Sequence, residues 1–196
     1  MSIDPFILAA PFLLLGVISL LGFVGCFTKP PRPEAGVAFI REQTLGTSRR
    51  DNSFFGMAFK VGADPLTIRM VGRFFHPGNT GIHRIRLIDA DDPANAQLAE
   101  VTISMVGGED GFYKYQPLSP VVKLDANHRY YLLSEELNPG DEFYDQDTTV
   151  RYTEPGMDPP ATVESGIQSD NPGVFVPVGG ADHCYGPVNF EYVIDN

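Results

Sequence analysis

Only two cysteines occur in the 196 residues, Cys26 and Cys184. One sits in an uncharged head and the other near the C-terminus, which excludes a disulfide framework and a cysteine-type zinc site. Basic residues are also scarce, 14 Lys and Arg against 25 Asp and Glu, for a formal net charge of −11. That balance excludes a phosphate-backbone binder, whose affinity comes from clustered cations, so no nucleic-acid partner is expected. Beyond residue 27 no stretch sustains a helical period for three turns, which excludes a helical body. Nucleophile-elbow, zinc-protease, phosphate-loop and dinucleotide fingerprints are all missing. The four histidines, His76, His83, His128 and His183, stand apart, with no pair at ligand spacing. No enzymatic activity is expected from this inventory.

Charge is distributed unevenly. Residues 1–27 contain one charged side chain, Asp4, and the run Pro5 to Phe27 contains none. At about 1.5 Å per residue, a helix of that length just crosses a ~30 Å hydrocarbon layer. The expectation is one N-terminal hydrophobic α-helix over 1–27 that enters a membrane or packs against copies of itself. A cleaved signal remains an alternative, in which Phe23-Val24-Gly25-Cys26 acts as a lipoprotein box and Cys26 is lipidated. A third reading, a core helix, lacks a polar face to support it. Residues 28–36, TKPPRPEAG, read as a stiff proline-rich linker.

Residues 28–196 carry a net charge of −10, and from residue 54 onward the period is two. Phe55, Met57, Phe59 and Val61 alternate with Gly56, Ala58 and Lys60, as in a half-buried strand. His83, Ile85 and Leu87 alternate with Arg84 and Arg86. Val71-Gly72 breaks its register as a bulge would. Gly107 to Gly111 reads as a hairpin connection into Phe112–Tyr115. Residues 153–173 read as a loop-rich excursion over one edge. Eight to ten short strands at this spacing predict an all-β fold, an antiparallel β-sandwich of jelly-roll type.

The stretch from Phe74-Phe75 through Gly78-Asn79-Thr80-Gly81, His83, Leu87, Leu98-Ala99, Gly111-Phe112, Pro120-Val121 and Tyr130-Tyr131 resembles a bacterial extracellular β-sandwich family. That family is classed as a domain of unknown function, and the resemblance covers about residues 54–145. It implies a secreted or surface location beside carbohydrate-active modules, with glycans as the suspected ligand. Members often carry tryptophan where this chain has Ile88 and Phe112, so an indole stacking platform is not expected here. Lys29, Arg32 and Arg41 follow the head, which by the positive-inside rule points the body to the cytoplasm instead. Both orientations stay open in the sequence.

Candidate sites are few. Glu135 to Asp147 places six carboxylates around a Pro-Gly turn, and hard cations need several oxygens. Asp141, Asp145 and Asp147 are the candidate calcium ligands, set against an ordinary solvated acidic loop and a glycosidase carboxylate pair. No other cofactor is expected. Tyr113, Tyr115 and Tyr144 are candidate ligand-binding residues, because a phenol offers a flat apolar ring with a polar tip. His83 is expected to pin the adjacent Gly-rich turn. Cys184 is expected to be a buried structural thiol, and Arg69, Arg73, Arg84 and Arg86 to share an outward face. The preferred function is a non-enzymatic, membrane-anchored surface sandwich that binds a glycan or a surface protein. The alternatives are a filament subunit self-associating through residues 5–27, and a glycan-active enzyme.

Overall fold

The computed structural model describes residues 36–136, 140–152, 158–171, 173–186 and 188–195. These belong to one compact unit, Pro33–Asn196. The expected helix over 1–27 and the lipidation candidate Cys26 lie outside the described residues. Among the described residues, no helix is long and apolar enough to cross a membrane.

Alternating side chains build two antiparallel sheets. One contains β1 (Val37–Ala38), β14 (Val188–Ile194), β5 (Leu66–Phe74) and β8 (Tyr113–Leu124), in that order. The other runs β13 (Val174–Val178), β12 (Ala161–Asn171), β4 (Phe54–Val61), β9 (Arg129–Glu135), β6 (Ile82–Asp89) and β7 (Gln97–Ser104). Two short ribbons join β2 (Glu42–Thr44) to β11 (Thr149–Arg151) and β3 (Ser48–Arg49) to β10 (Phe143–Tyr144). All pairings are antiparallel. Met57, Phe59 and Val61 of the larger sheet meet Leu66, Ile68, Val71 and Phe190 of the smaller one in a shared core. Each such side chain contributes about 1.5–3 kcal/mol by leaving water. Phe39 stacks on Phe190 at 4.5 Å and on Tyr152 at 4.9 Å, closing the middle of the sandwich. Asn189 fixes the backbone beside it, accepting from Ile40 N (2.8 Å) and donating to Ile40 O (3.0 Å).

Three local expectations change. Against β14, the bulge in β5 falls at Arg69, between Ile68 and Met70, rather than at Val71-Gly72. One extra residue reverses the alternation, so Leu66 and Ile68 face the core, and then Val71 and Arg73 do. Gly107 to Gly111 is not a hairpin: β7 pairs with β6 and β8 pairs with β5, so the segment crosses between sheets. Within the expected excursion over 153–173, Ala161–Asn171 forms β12, hydrogen-bonded to neighbours on both sides. Its Ser, Gly, Gln and Asp residues hide the strand, which pairing on two flanks imposes. Pro117 and Pro120, by contrast, sit in β8 at the sheet edge, where a missing N–H costs no ladder bond.

Candidate functional site

The reversal at Arg69 decides what faces outward. Val71 and Arg73 point in, so Gly72 and Phe74 share the opposite face with their β8 partners Tyr115 and Tyr113. Gly72 is required here: a Cβ would stand 2.7 Å from the Tyr115 ring, which lies across the glycine. Phe74 then meets Tyr113 edge-on at 5.1 Å and Tyr144 at 5.9 Å, while Tyr113 contacts Tyr115 at 5.9 Å. His76 continues the row at 5.0 Å from Tyr144. The three tyrosines singled out in the sequence are thus linked, through Phe74, into one aromatic row.

Of the three tyrosines, only Tyr113 reaches the cleft beside that row. The cleft holds about 480 Å³, within the range of small-ligand sites, between the sheet and the segment around β2. Ile40, Leu45, Phe74 and Tyr113 give it apolar walls, and Arg41, Glu42 and Gln43 a polar rim. The Tyr113 hydroxyl donates to Gln43 Oε1 at 2.7 Å, and burial raises its pKa well above the ordinary phenol value. The Gln43 amide nitrogen has no hydrogen-bond partner among the described residues. Tyr115 accepts from Asn189 Nδ2 at 2.9 Å and braces Tyr113 from behind. Tyr144 props Phe74. Gln43 was not singled out in the sequence and Phe74 only as a strand residue, because the bulge that turns Phe74 away from the main core was placed two residues too late.

The three expected calcium ligands do not converge. Asp141 is buried and turned toward the Gly78–Gly81 turn, accepting from Thr80 N (3.1 Å), Gly81 N (2.9 Å) and His83 Nε2 (2.8 Å). Asp145 pairs with Arg49 at 3.2 Å. Asp147 accepts from Thr47 N (2.9 Å) and Thr47 Oγ1 (3.0 Å). Among the described residues, no group of three or more His, Cys, Asp or Glu side chains could hold a metal ion. Strand pairing of Phe143 and Tyr144 with Arg49 and Ser48 spreads the acidic run across separate partners.

What the acidic run does supply is one side of a buried ionic network. Arg73 donates through Nε to Glu136 Oε1 (2.9 Å) and through Nη2 to Glu136 Oε2 (2.7 Å), a two-pronged pair. It reaches the Glu142 carbonyl as well, at 3.1 Å. Ser134 Oγ donates to Glu136 at 2.6 Å. His83 Nδ1 donates to the Glu135 carbonyl at 2.8 Å and lies 3.3 Å from Glu136. Burial pushes the Asp141 carboxyl up, but the donors from His83, Thr80 and Gly81 more than offset it, holding the group below its ordinary pKa. With Asp141 ionised, both ring nitrogens of His83 face acceptors. His83 therefore pins the Gly-rich turn through Asp141. Arg73, His83, Glu136 and Asp141 are all at most 5% exposed, so the network ties loops together and no substrate reaches it. Arg73 corrects the expected outward arginine face; Arg84 and Arg86 do lie outside, paired with Glu135 and Glu100.

Cys184 is fully buried in the main core, where burial pushes its thiol up to about 12. A thiol so placed is inert as a nucleophile at neutral pH. No family model, curated protein or solved structure matches the chain. The fold stands as an all-β antiparallel sandwich on its own geometry.

Proposed function

We propose that the chain is a membrane-tethered surface protein whose sandwich binds a ligand through the Tyr113 cleft, without catalysis. The observation that carries the reading is the cleft itself: an aromatic wall of Tyr113 and Phe74 beside a Gln43 amide that accepts from Tyr113 and whose nitrogen has no hydrogen-bond partner among the described residues. Apolar faces with convergent polar groups suit a saccharide or the side chains of a surface protein. The uncharged run Pro5 to Phe27 supplies the tether, and the resemblance to extracellular sandwiches supports a body outside the cytoplasm and a glycan ligand.

The test is an oligosaccharide array probed with the full chain in a detergent lacking a sugar headgroup. Binding that Tyr113→Ala removes and Tyr113→Phe weakens supports the cleft. An array without ligand, or binding indifferent to Tyr113→Ala, overturns it. The filament reading makes a different prediction, namely large assemblies that persist in detergent; a monodisperse single chain supports the tether.

A further inference from the structure

The larger sheet has a second apolar surface on the side away from the main core. The alternation that sends Met57, Phe59 and Leu132 inward leaves Ala58 and Leu133 facing out. There they gather with Ile88 and Ile167 into a small cluster flanked by Phe54, Tyr131 and Phe175. Ala94 and Asn95 of the β6–β7 loop flank it on one side, and Gly173 and Phe175 on the other. Between them lies a groove of about 180 Å³. Leu133 and Ile88 line its floor, Phe54 and Phe175 its walls, and Asn95 and Gln97 its polar side.

Charge and hydrogen bonding restrict what this groove accepts. Arg86 stands over the Phe54 ring at 4.6 Å and is paired with Glu100 at 2.8 Å, so its charge is already answered and an anion gains little. The side-chain amides of Asn95 and Gln97 have no hydrogen-bond partner among the described residues, leaving both donors and acceptors at the groove. The loop that carries Asn95 is fixed in advance. Asp89 accepts from Asp91 N and Asp92 N at 3.0 Å each, and Asn95 N donates to the Asp92 carbonyl at 2.8 Å. Little ordering entropy remains to be lost on binding. The volume lies below the ~300 Å³ where drug-sized sites begin, so it suits one six-membered ring rather than an extended chain.

We infer that this groove binds one neutral pyranose ring, its C–H face against Phe54 and Phe175 and its hydroxyls on the Asn95 and Gln97 amides. The site is separate from the Tyr113 cleft, on the other sheet, and stands whether or not that cleft binds. The experiment titrates the full-length chain, in a zwitterionic detergent, with methyl glucoside, methyl galactoside and methyl N-acetylglucosaminide, following the Asn95 and Gln97 side-chain NH₂ signals by NMR. At least one sugar is expected to shift both signals at millimolar concentration. Asn95→Gly, which keeps the positive φ of 49°, and Gln97→Ala should each weaken that sugar about five-fold, the worth of one hydrogen bond. Phe175→Ala should abolish binding and Tyr113→Ala should leave it unchanged. If Phe175→Ala fails to fold, the two amide variants decide, since neither residue belongs to an apolar cluster. No shift with any sugar, or undiminished affinity in the Asn95→Gly/Gln97→Ala double variant, overturns the inference. Binding of N-acetyltryptophan amide in place of every sugar overturns it too, and assigns the groove to a partner's side chain.

Discussion

The middle of the sandwich and its loop end are equally dry but held by different forces. In the middle, Phe39, Phe59, Phe190 and Ile68 fill space with no polar obligation, and stability follows the area removed from water. At the loop end, Arg73, Glu136, His83 and Asp141 are buried just as deeply, and each depends on specific partners in a specific geometry. Apolar packing degrades gradually when trimmed, because neighbours relax into the gap. A buried charge has no such tolerance, since losing its partner leaves the full desolvation cost exposed. The difference places tolerance in the middle and precision at the loops, where the Gly78–Gly81 turn is held.

The comparison breaks most decisively at Glu136. Glu136→Ala leaves the Arg73 guanidinium buried without its partner and should cost about 3–5 kcal/mol in urea unfolding followed by circular dichroism. Replacing both partners, Arg73→Met with Glu136→Leu, should cost far less than the single change. A single-variant loss below about 1 kcal/mol would mean that water enters the network. Next comes Asp141→Asn, which turns an amide N–H₂ toward His83 and should cost about 1–3 kcal/mol. The folded Asp141 carboxyl is held below its unfolded pKa. Its contribution is therefore complete above about pH 4 and is lost as pH falls below that. Unfolding midpoints measured across the acid range should fall less steeply in Asp141→Asn than in the parent. In the apolar middle, Ile68→Val should cost only about 0.5–1.5 kcal/mol in the same unfolding experiment. A larger loss would show that the middle is as exacting as the loop end. At the surface, Arg129, paired with Asp91 at 2.8 Å with its side chain 56% exposed, sets the floor of the scale. Arg129→Ala should change stability by less than about 1 kcal/mol, and by less still in high salt.

Alternation made the strand faces readable wherever it ran unbroken. Phe55, Met57, Phe59 and Val61 of β4 and His83, Ile85 and Leu87 of β6 are buried as their spacing predicts, while Lys60 and Arg84 are exposed. Gly56 and Ala58, expected on an open face, are buried too, Ala58 in the second apolar cluster. Legibility failed where pairing overrode local chemistry. Arg73 looks like a surface residue until the extra residue at Arg69 turns it inward. The acidic run from Glu135 to Asp147 looks solvated, yet three of its six carboxylates, Glu135, Glu136 and Asp141, are buried against side chains and backbone donors contributed by β5, β6 and the β5–β6 turn. The aromatic row was partly visible, in Tyr113, Tyr115 and Tyr144. The residue that joins them, Phe74, became visible only once its strand register was fixed. Long-range partners carry this information, and no local window of sequence contains it.

The bulge at Arg69 acts on the sheet as a frameshift acts on a message. Upstream of it, even-numbered positions are read by the core; downstream, odd-numbered ones are. Pairing β5 straight through, with Arg69 taken into the ladder, would leave composition unchanged yet exchange the two readings, sending Gly72 and Phe74 into the interior and Val71 and Arg73 out to the cleft. A change of that kind would dismantle the ionic network and the aromatic row together. Both depend on Arg69 staying outside the alternation, whereas its deletion would leave Val71 and Arg73 on the core face by plain alternation.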